Sequence, residues 1–220
     1  MKKFLLLIML FLTGCGVTSK NFLKKMSKEY EKIDSYSVNG EITIEHTDLE
    51  TKYNFETACY NDCLKVTLTN TQTNTKQTII KNQDGVFVLS PLTNKTYRFP
   101  SNWPNESQTP YILSSVINDV FKDSNIEIIE GENEIVLKCE ISSINSNLSK
   151  EEINFNKKTL LPTNVSIYDN SGNKRINVSF SDFNFTSSFF DLHPAILTKS
   201  KAIAVHNKTL FFIIPPINNL

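Results

Sequence analysis

From Ser37 onward, apolar and polar residues alternate with a period of two along most of the chain. Val38, Ile42 and Ile44 alternate with Asn39, Glu41, Thr43 and Glu45. Tyr53, Phe55, Thr57 and Cys59 repeat the pattern, followed by Leu64, Val66 and Leu68. Successive side chains of a strand point to opposite faces, so such runs make strands with one buried and one solvated face, as in an antiparallel meander. Turn-forming clusters separate them: Asn61-Asp62, Asn70 to Thr75 and Asn82-Gln83-Asp84-Gly85, then Pro91 to Lys95 between strands at 86–89 and 96–99. Strands resume at 126–130, 134–142, 150–156, 163–169 and 175–181, with turns at Gly131-Glu132-Asn133, Asn156-Lys157-Lys158 and Asn170-Ser171-Gly172-Asn173.

Two segments carry the helical period instead. Residues 19–35 place Phe22, Leu23, Met26, Tyr30 and Ile33 near one face, with Ser19 as N-cap. Lys20, Lys24, Lys25, Lys28 and Lys32 cover much of the rest and read as the solvated flank of a helix packed on a sheet. Pro110 stands where a second helix opens, at the first-turn position that needs no N–H. Ile112, Leu113, Val116, Ile117, Val120 and Phe121 supply its apolar stripe. Helix, strands, helix, strands is the order of an α+β fold with one curved antiparallel sheet and two helices against its concave face.

The N-terminus is of another kind. Lys2 and Lys3 precede an apolar run from Phe4 to Leu12, the layout of a secretory signal. The run is too short to span a bilayer, which needs about 20 residues. Its last residues, Leu12-Thr13-Gly14-Cys15, resemble the bacterial lipobox, in which the cysteine is diacylated and the chain is cut before it. On that reading residues 1–14 are a signal peptide and Cys15 is the lipid attachment site. Two acyl chains, at about 0.8 kcal/mol per buried methylene, hold a protein stably on a membrane, here its extracytoplasmic face. The 205 residues after Cys15 suffice for one domain with a real core.

Composition excludes more than it assigns. With 23 basic and 23 acidic side chains, the chain lacks the cationic excess that nucleic acid binding needs. Cys59 and Cys63 flank a turn, which leaves open either a disulfide across a hairpin, closing a very short loop and adding little stability, or two free thiols. Cys139 shares a strand face with Ile135 and Leu137 and reads as a buried thiol. The C-x3-C pair has no second pair or nearby histidine to complete a zinc site. His46, His193 and His206 are scattered, and no nucleophile elbow, zinc-protease helix or phosphate loop occurs. Glu151 and Glu152 are adjacent on a strand and so point to opposite faces, whereas acid–base chemistry needs convergence on one atom. No enzyme, no metal and no cofactor are expected.

Gly85-Val86-Phe87-Val88-Leu89-Ser90-Pro91 leads through Leu92-Thr93-Asn94-Lys95 to Thr96-Tyr97-Arg98-Phe99 and Ser101-Asn102-Trp103-Pro104-Asn105. Further on stand Asp169 to Lys174, Val178-Ser179-Phe180-Ser181-Asp182-Phe183-Asn184-Phe185 and Phe190-Asp191-Leu192. These segments resemble the Gram-positive sporulation and germination lipoproteins, a LolA-like branch that includes the GerS-type germination lipoproteins. The resemblance spans roughly residues 20 to 193, and Trp103-Pro104 is its most specific part. It implies an incomplete antiparallel β-barrel with helices over its open face, without catalytic machinery. Residues 15–193 then form the LolA-like domain, and 194–220, which include Leu210-Phe211-Phe212-Ile213-Ile214, stay unassigned.

In Gram-negative relatives the concave surface carries acyl chains; a lipid-anchored chain does not shuttle in that way. The expected role is therefore to bind and regulate a partner protein in spore formation or germination, a peptidoglycan (cortex)-processing hydrolase being the first candidate. The alternative is a module holding lipid on the concave sheet face. Tyr97, Phe99 and Trp103 are the candidate partner or ligand surface. Exposed sheet edges would also allow pairing with a second copy. The cluster Phe180, Phe183, Phe185, Phe189 and Phe190 alternates at first and then slips register; its default reading is core, with an apolar groove as the sharper one.

Overall fold

The alternating runs form the strands expected of them. The computed structural model describes residues 19–46, 49–61, 63–99, 109–123, 125–141, 147–185 and 203–204. Helix α1 (Ser19–Tyr30) leads into a six-strand meander: β1 (Ser35–Glu45), β2 (Glu50–Tyr60), β3 (Cys63–Asn70), β4 (Lys76–Asn82), β5 (Gly85–Ser90) and β6 (Lys95–Phe99). Helix α2 (Leu113–Lys122) crosses to the opposite edge, where a second meander runs through β7 (Glu127–Glu130), β8 (Glu134–Glu140), β9 (Leu148–Asn156), β10 (Pro162–Asp169) and β11 (Lys174–Asn184). β1 and β11 pair antiparallel and join the two meanders into one sheet, ordered β6-β5-β4-β3-β2-β1-β11-β10-β9-β8-β7. A two-residue strand, β12 (Ile203–Ala204), adds to β6 in parallel, opposite Tyr97 and Arg98. The sheet curves without closing: an incomplete barrel with two helices.

Register carries the alternation across the sheet. Ile42, Val178, Val165, Ile153 and Leu137 stand opposite one another on five neighbouring strands, all fully buried on the concave face. Each contributes roughly 1.5–3 kcal/mol by leaving water. One residue away, the row turns to the convex face and becomes polar: Ser166 Oγ lies 3.0 Å from Asn177 Oδ1, and Lys138 pairs with Glu152 at 3.5 Å. Turns form where their residues require. Asn70, Asn156 and Asp169 each accept two backbone N–H groups of the following turn through side-chain oxygens.

The curve has a local cause at Gly40, in the middle of β1. It pairs with Phe55 on one side and Phe180 on the other, and a Cβ there would lie 2.5 Å from the Phe55 ring. The missing side chain lets both rings close over the strand, their centroids 5.7 Å apart edge to face. Helix α1 buries Phe22 and Met26 completely, with Phe22 edge-on to Phe155 at 5.7 Å. Helix α2 buries Leu113, Val116, Ile117 and Val120, and Tyr111 just before it is also buried.

Several boundaries differ from those read in the sequence. α1 stops at Tyr30 rather than 35, where Lys32 and Ile33 donate to Glu29 and Tyr30 in tighter turns. Ile33 still packs on the core from outside the helix. Pro110 is not in the first turn of α2: it sits in a turn closed by Ile112 N–H to the Thr109 carbonyl, and Ile112 is the extended N-cap. Burying Tyr111 demands that detour. Phe121 leaves the stripe and is 47% exposed.

The cysteine question is settled by register. Cys59 stands opposite Leu64 and Cys63 opposite Tyr60, so the two side chains project to opposite faces. A bridge across the hairpin is excluded, and Cys59, Cys63 and Cys139 take part in no disulfide among the described residues.

Candidate functional site

At the end of the barrel where α1 runs into β1, a cavity of about 620 Å³ opens to solvent. Its walls are Tyr30, Ile33, Tyr60, Leu160, Leu161 and Phe185, with Glu29, Lys32 and Asp34 at the rim. Two turns and a bulge build it. The β2–β3 turn presents Tyr60 through Asn61 in left-handed backbone, φ 50°, and Asn61 N–H ties back to the Asp34 carbonyl at 2.8 Å. The β9–β10 turn holds Leu160 at φ 61°, its carbonyl accepting the Tyr30 hydroxyl at 2.8 Å. The bulge lies in β11.

That bulge explains the slipped phenylalanines. Between the pairs Ser37–Asn184 and Asn39–Ser181, β11 spends one residue more than β1, and Asp182 takes φ 50°. Phe180, Phe183 and Phe185 thereby follow one another as a stack, with centroid spacings of 5.9 and 6.1 Å, from the core-packed Phe180 to an exposed Phe185. Both readings of the cluster apply along one line: core at Phe180, cavity wall at Phe185. Phe189 and Phe190 lie outside the described residues.

A second opening, about 320 Å³, lies between the helices, with Tyr30 and Ile33 on one side, Leu113, Ile117 and Phe121 on the other, and Tyr36 beside them. The Tyr36 hydroxyl is buried and makes no hydrogen bond. It faces the first backbone amides of α2, those of Leu113 and Ser114, without reaching bonding geometry.

The other buried polar feature is Glu151. It occupies the concave row Ile44–Ile176–Ile167–Glu151–Cys139, where every other position is apolar or a thiol, and is 3% exposed. Burial pushes its carboxyl up to about 8, and the negative Asp119 of α2 adds to the shift. The neighbouring Cys139 thiol is raised to about 12 by burial, then by Glu151, Asp123 and Asp119. Such a thiol is inert as a nucleophile. Glu151 and Glu152 do face opposite ways, one into the core and one into the convex polar row.

Of the residues singled out in the sequence, Tyr97 and Phe99 stand on β6 opposite Val88 and Val86, half-buried against the core. Cys15 and Trp103 lie outside the described residues, as do His193 and His206, while His46 is half-buried after β1. Among the described residues no cluster of His, Cys, Asp and Glu is arranged to hold a metal ion, and no helix is long and apolar enough to cross a membrane. The barrel-end cavity and the burial of Glu151 were not anticipated. Parity along β9 marks Glu151, which shares a face with Ile153 and Phe155; nothing in the sequence marks the cavity, whose walls come from four separate segments.

Comparison with known proteins places this architecture. The chain is 33% identical over 187 residues to the sporulation protein YdcC of Bacillus subtilis (strain 168), covering 84% of this chain and 55% of that protein. It thus spans about half the length of that curated relative. Among solved structures, an uncharacterized conserved protein from Thermus thermophilus superposes with a TM-score of 0.56 at 10% identity, over 86% of this chain and all of that one. A chain from the complex of the CwlD amidase with the GerS lipoprotein of Clostridioides difficile superposes at 0.47 and 18% identity, over 77% of this chain and 96% of that one. The model of the YdcC-like sporulation proteins matches residues 1–191, as the sequence resemblance implied, and the chain belongs to that family.

Proposed function

We propose that this chain is a non-catalytic lipoprotein, anchored through Cys15 on the extracytoplasmic face of the membrane, that binds and regulates a partner protein in spore formation or germination. Membership of a sporulation protein family over residues 1–191 carries the reading. The Leu12-Thr13-Gly14-Cys15 motif supplies the anchor. Among the described residues, burial favours the protonated Glu151 carboxyl and leaves the neighbouring Cys139 thiol inert, and neither lines the two openings described above. We take the partner to be a peptidoglycan (cortex)-processing enzyme, on the sequence resemblance to the GerS-type lipoproteins. The lipid-holding alternative finds less support, because Phe22, Met26, Tyr111, Val116 and Val120 already cover the concave face.

Two measurements test this. Cells of the source organism fed an alkyne-tagged palmitate label the wild-type protein and leave Cys15→Ala unlabelled and in the soluble fraction; an unlabelled wild type overturns the anchor. Purified cortex-processing amidase of the same organism binds the mature chain in interferometry with a micromolar or tighter Kd. No binding to any such enzyme, with each enzyme active, overturns the assigned partner.

A further inference from the structure

Five non-glycine residues of the described chain adopt left-handed backbone, and three of them serve one place. Asn61 and Leu160 line the barrel-end cavity, and Asp182 aims Phe185 into it. Left-handed backbone is costly for a bulky residue such as Leu160 and persists only where the surroundings impose it, most often at working sites. The turns here hold apolar surface in the open: Tyr60, beside Asn61, is 43% and Phe185, just after Asp182, 42% exposed. Large aromatics flanking a concave, rigidly held pocket are the composition of an interface centre rather than of a domain surface.

The rim decides what kind of segment fits. Glu29 is bridged to Lys32 at 3.0 Å, and Asp34 makes no ion pair among the described residues, so the described residues of the rim leave one negative charge uncompensated. We infer that this cavity seats a bulky apolar side chain from a segment of the partner protein, with an adjacent Lys or Arg of that segment meeting Asp34. The inference rests on the partner-binding reading and adds where and how the partner is held. The cavity volume, about 620 Å³, leaves room for one large side chain and part of the backbone that carries it.

The test uses the mature full-length chain and two fluorescent blocked tripeptides, Arg-Phe-Arg and Asp-Phe-Asp, read by anisotropy. The basic peptide binds about tenfold or more tightly than the acidic one. Tyr60→Ala and Phe185→Ala each weaken it about tenfold, while Tyr60→Phe keeps most of the affinity. Asp34→Asn narrows the gap between the two peptides. Both aromatics are surface residues, so circular dichroism of the variants stays that of the wild type. Equal affinity for the two peptides, or undiminished binding by both alanine variants, overturns the inference. The partner reading fails separately: an amidase that binds wild type and both alanine variants alike removes this surface and leaves the reading, whereas variant-sensitive peptide binding without any amidase binding does the reverse.

Discussion

The two helices lie over the same concave face and rest on different floors. Under the middle of α1 the contact is apolar: Phe22 and Met26 are fully buried, and Phe22 meets Phe155 edge-on. Under α2 the apolar stripe of Val116, Ile117 and Val120 is just as regular, yet the sheet offers Glu151 and Cys139, and the helix brings Asp119 and Asp123. These acids sit at the helix's C-terminal end, where the backbone dipole is also negative. A regular stripe therefore does not guarantee an apolar seat. α1 is held by packing and by the Tyr30 hydroxyl's bond to the Leu160 carbonyl at its end, while α2 sits over a carboxyl that burial favours in its protonated form.

The largest expected effect breaks the better seat. Phe22→Ala removes a fully buried ring and leaves a cavity against Phe155, costing about 3–5 kcal/mol in denaturant titration. A loss below about 1 kcal/mol would mean that α1 is not what closes that end of the sheet.

The next effect sharpens the weaker seat. Glu151 has an ordinary carboxyl pKa of 4.5 when unfolded and about 8 when folded. At pH 4 both states are protonated and the residue costs little. As pH rises between those values only the unfolded state ionises, so stability falls, and the fall ends once pH passes about 8. Glu151→Gln abolishes that slope and stabilises the protein by about 2–4 kcal/mol at pH 8.5, with little change at pH 4. Thermal melts across pH check it; a parallel displacement at every pH would show that Glu151 is paired rather than stranded. Asp169 is the contrast within the same meander. Burial raises its carboxyl too, but bonds from Asn173, Arg175 and Ser171 outweigh that and hold it at about 2.

Much of this was legible from period alone, because a one-residue change of phase moves a strand's whole apolar set to the wrong face. Val38, Ile42 and Ile44 are buried where alternation puts them, and the Asn-led turns close where expected. The misses share a physical cause: each depends on a pairing partner or a contact outside the local segment. Cys59 and Cys63 separate by parity only once Tyr60 is known to face Cys63. α2 starts three residues after Pro110 because Tyr111 goes into the core beside Phe55. The cavity needs Tyr60, Leu160 and Phe185 at one end of the barrel, which the β1–β11 pairing brings about and no local pattern announces.

The smallest expected effect lies between the helices, at Tyr36. Its ring is buried against the core, and its hydroxyl is unbonded, facing the first amides of α2. A buried hydroxyl without a partner contributes nothing to offset its lost hydration, so Tyr36→Phe, which keeps the ring, is neutral or stabilising by up to about 1 kcal/mol. The substitution also leaves the pH dependence of Glu151 unchanged, since the hydroxyl meets the N-terminal end of α2 and Glu151 the other. A loss of about 2 kcal/mol or more would show instead that the hydroxyl caps α2 in solution. The helix would then have a polar tether at its start to set against the acids at its end, and the difference between the two seats would be smaller than packing alone makes it.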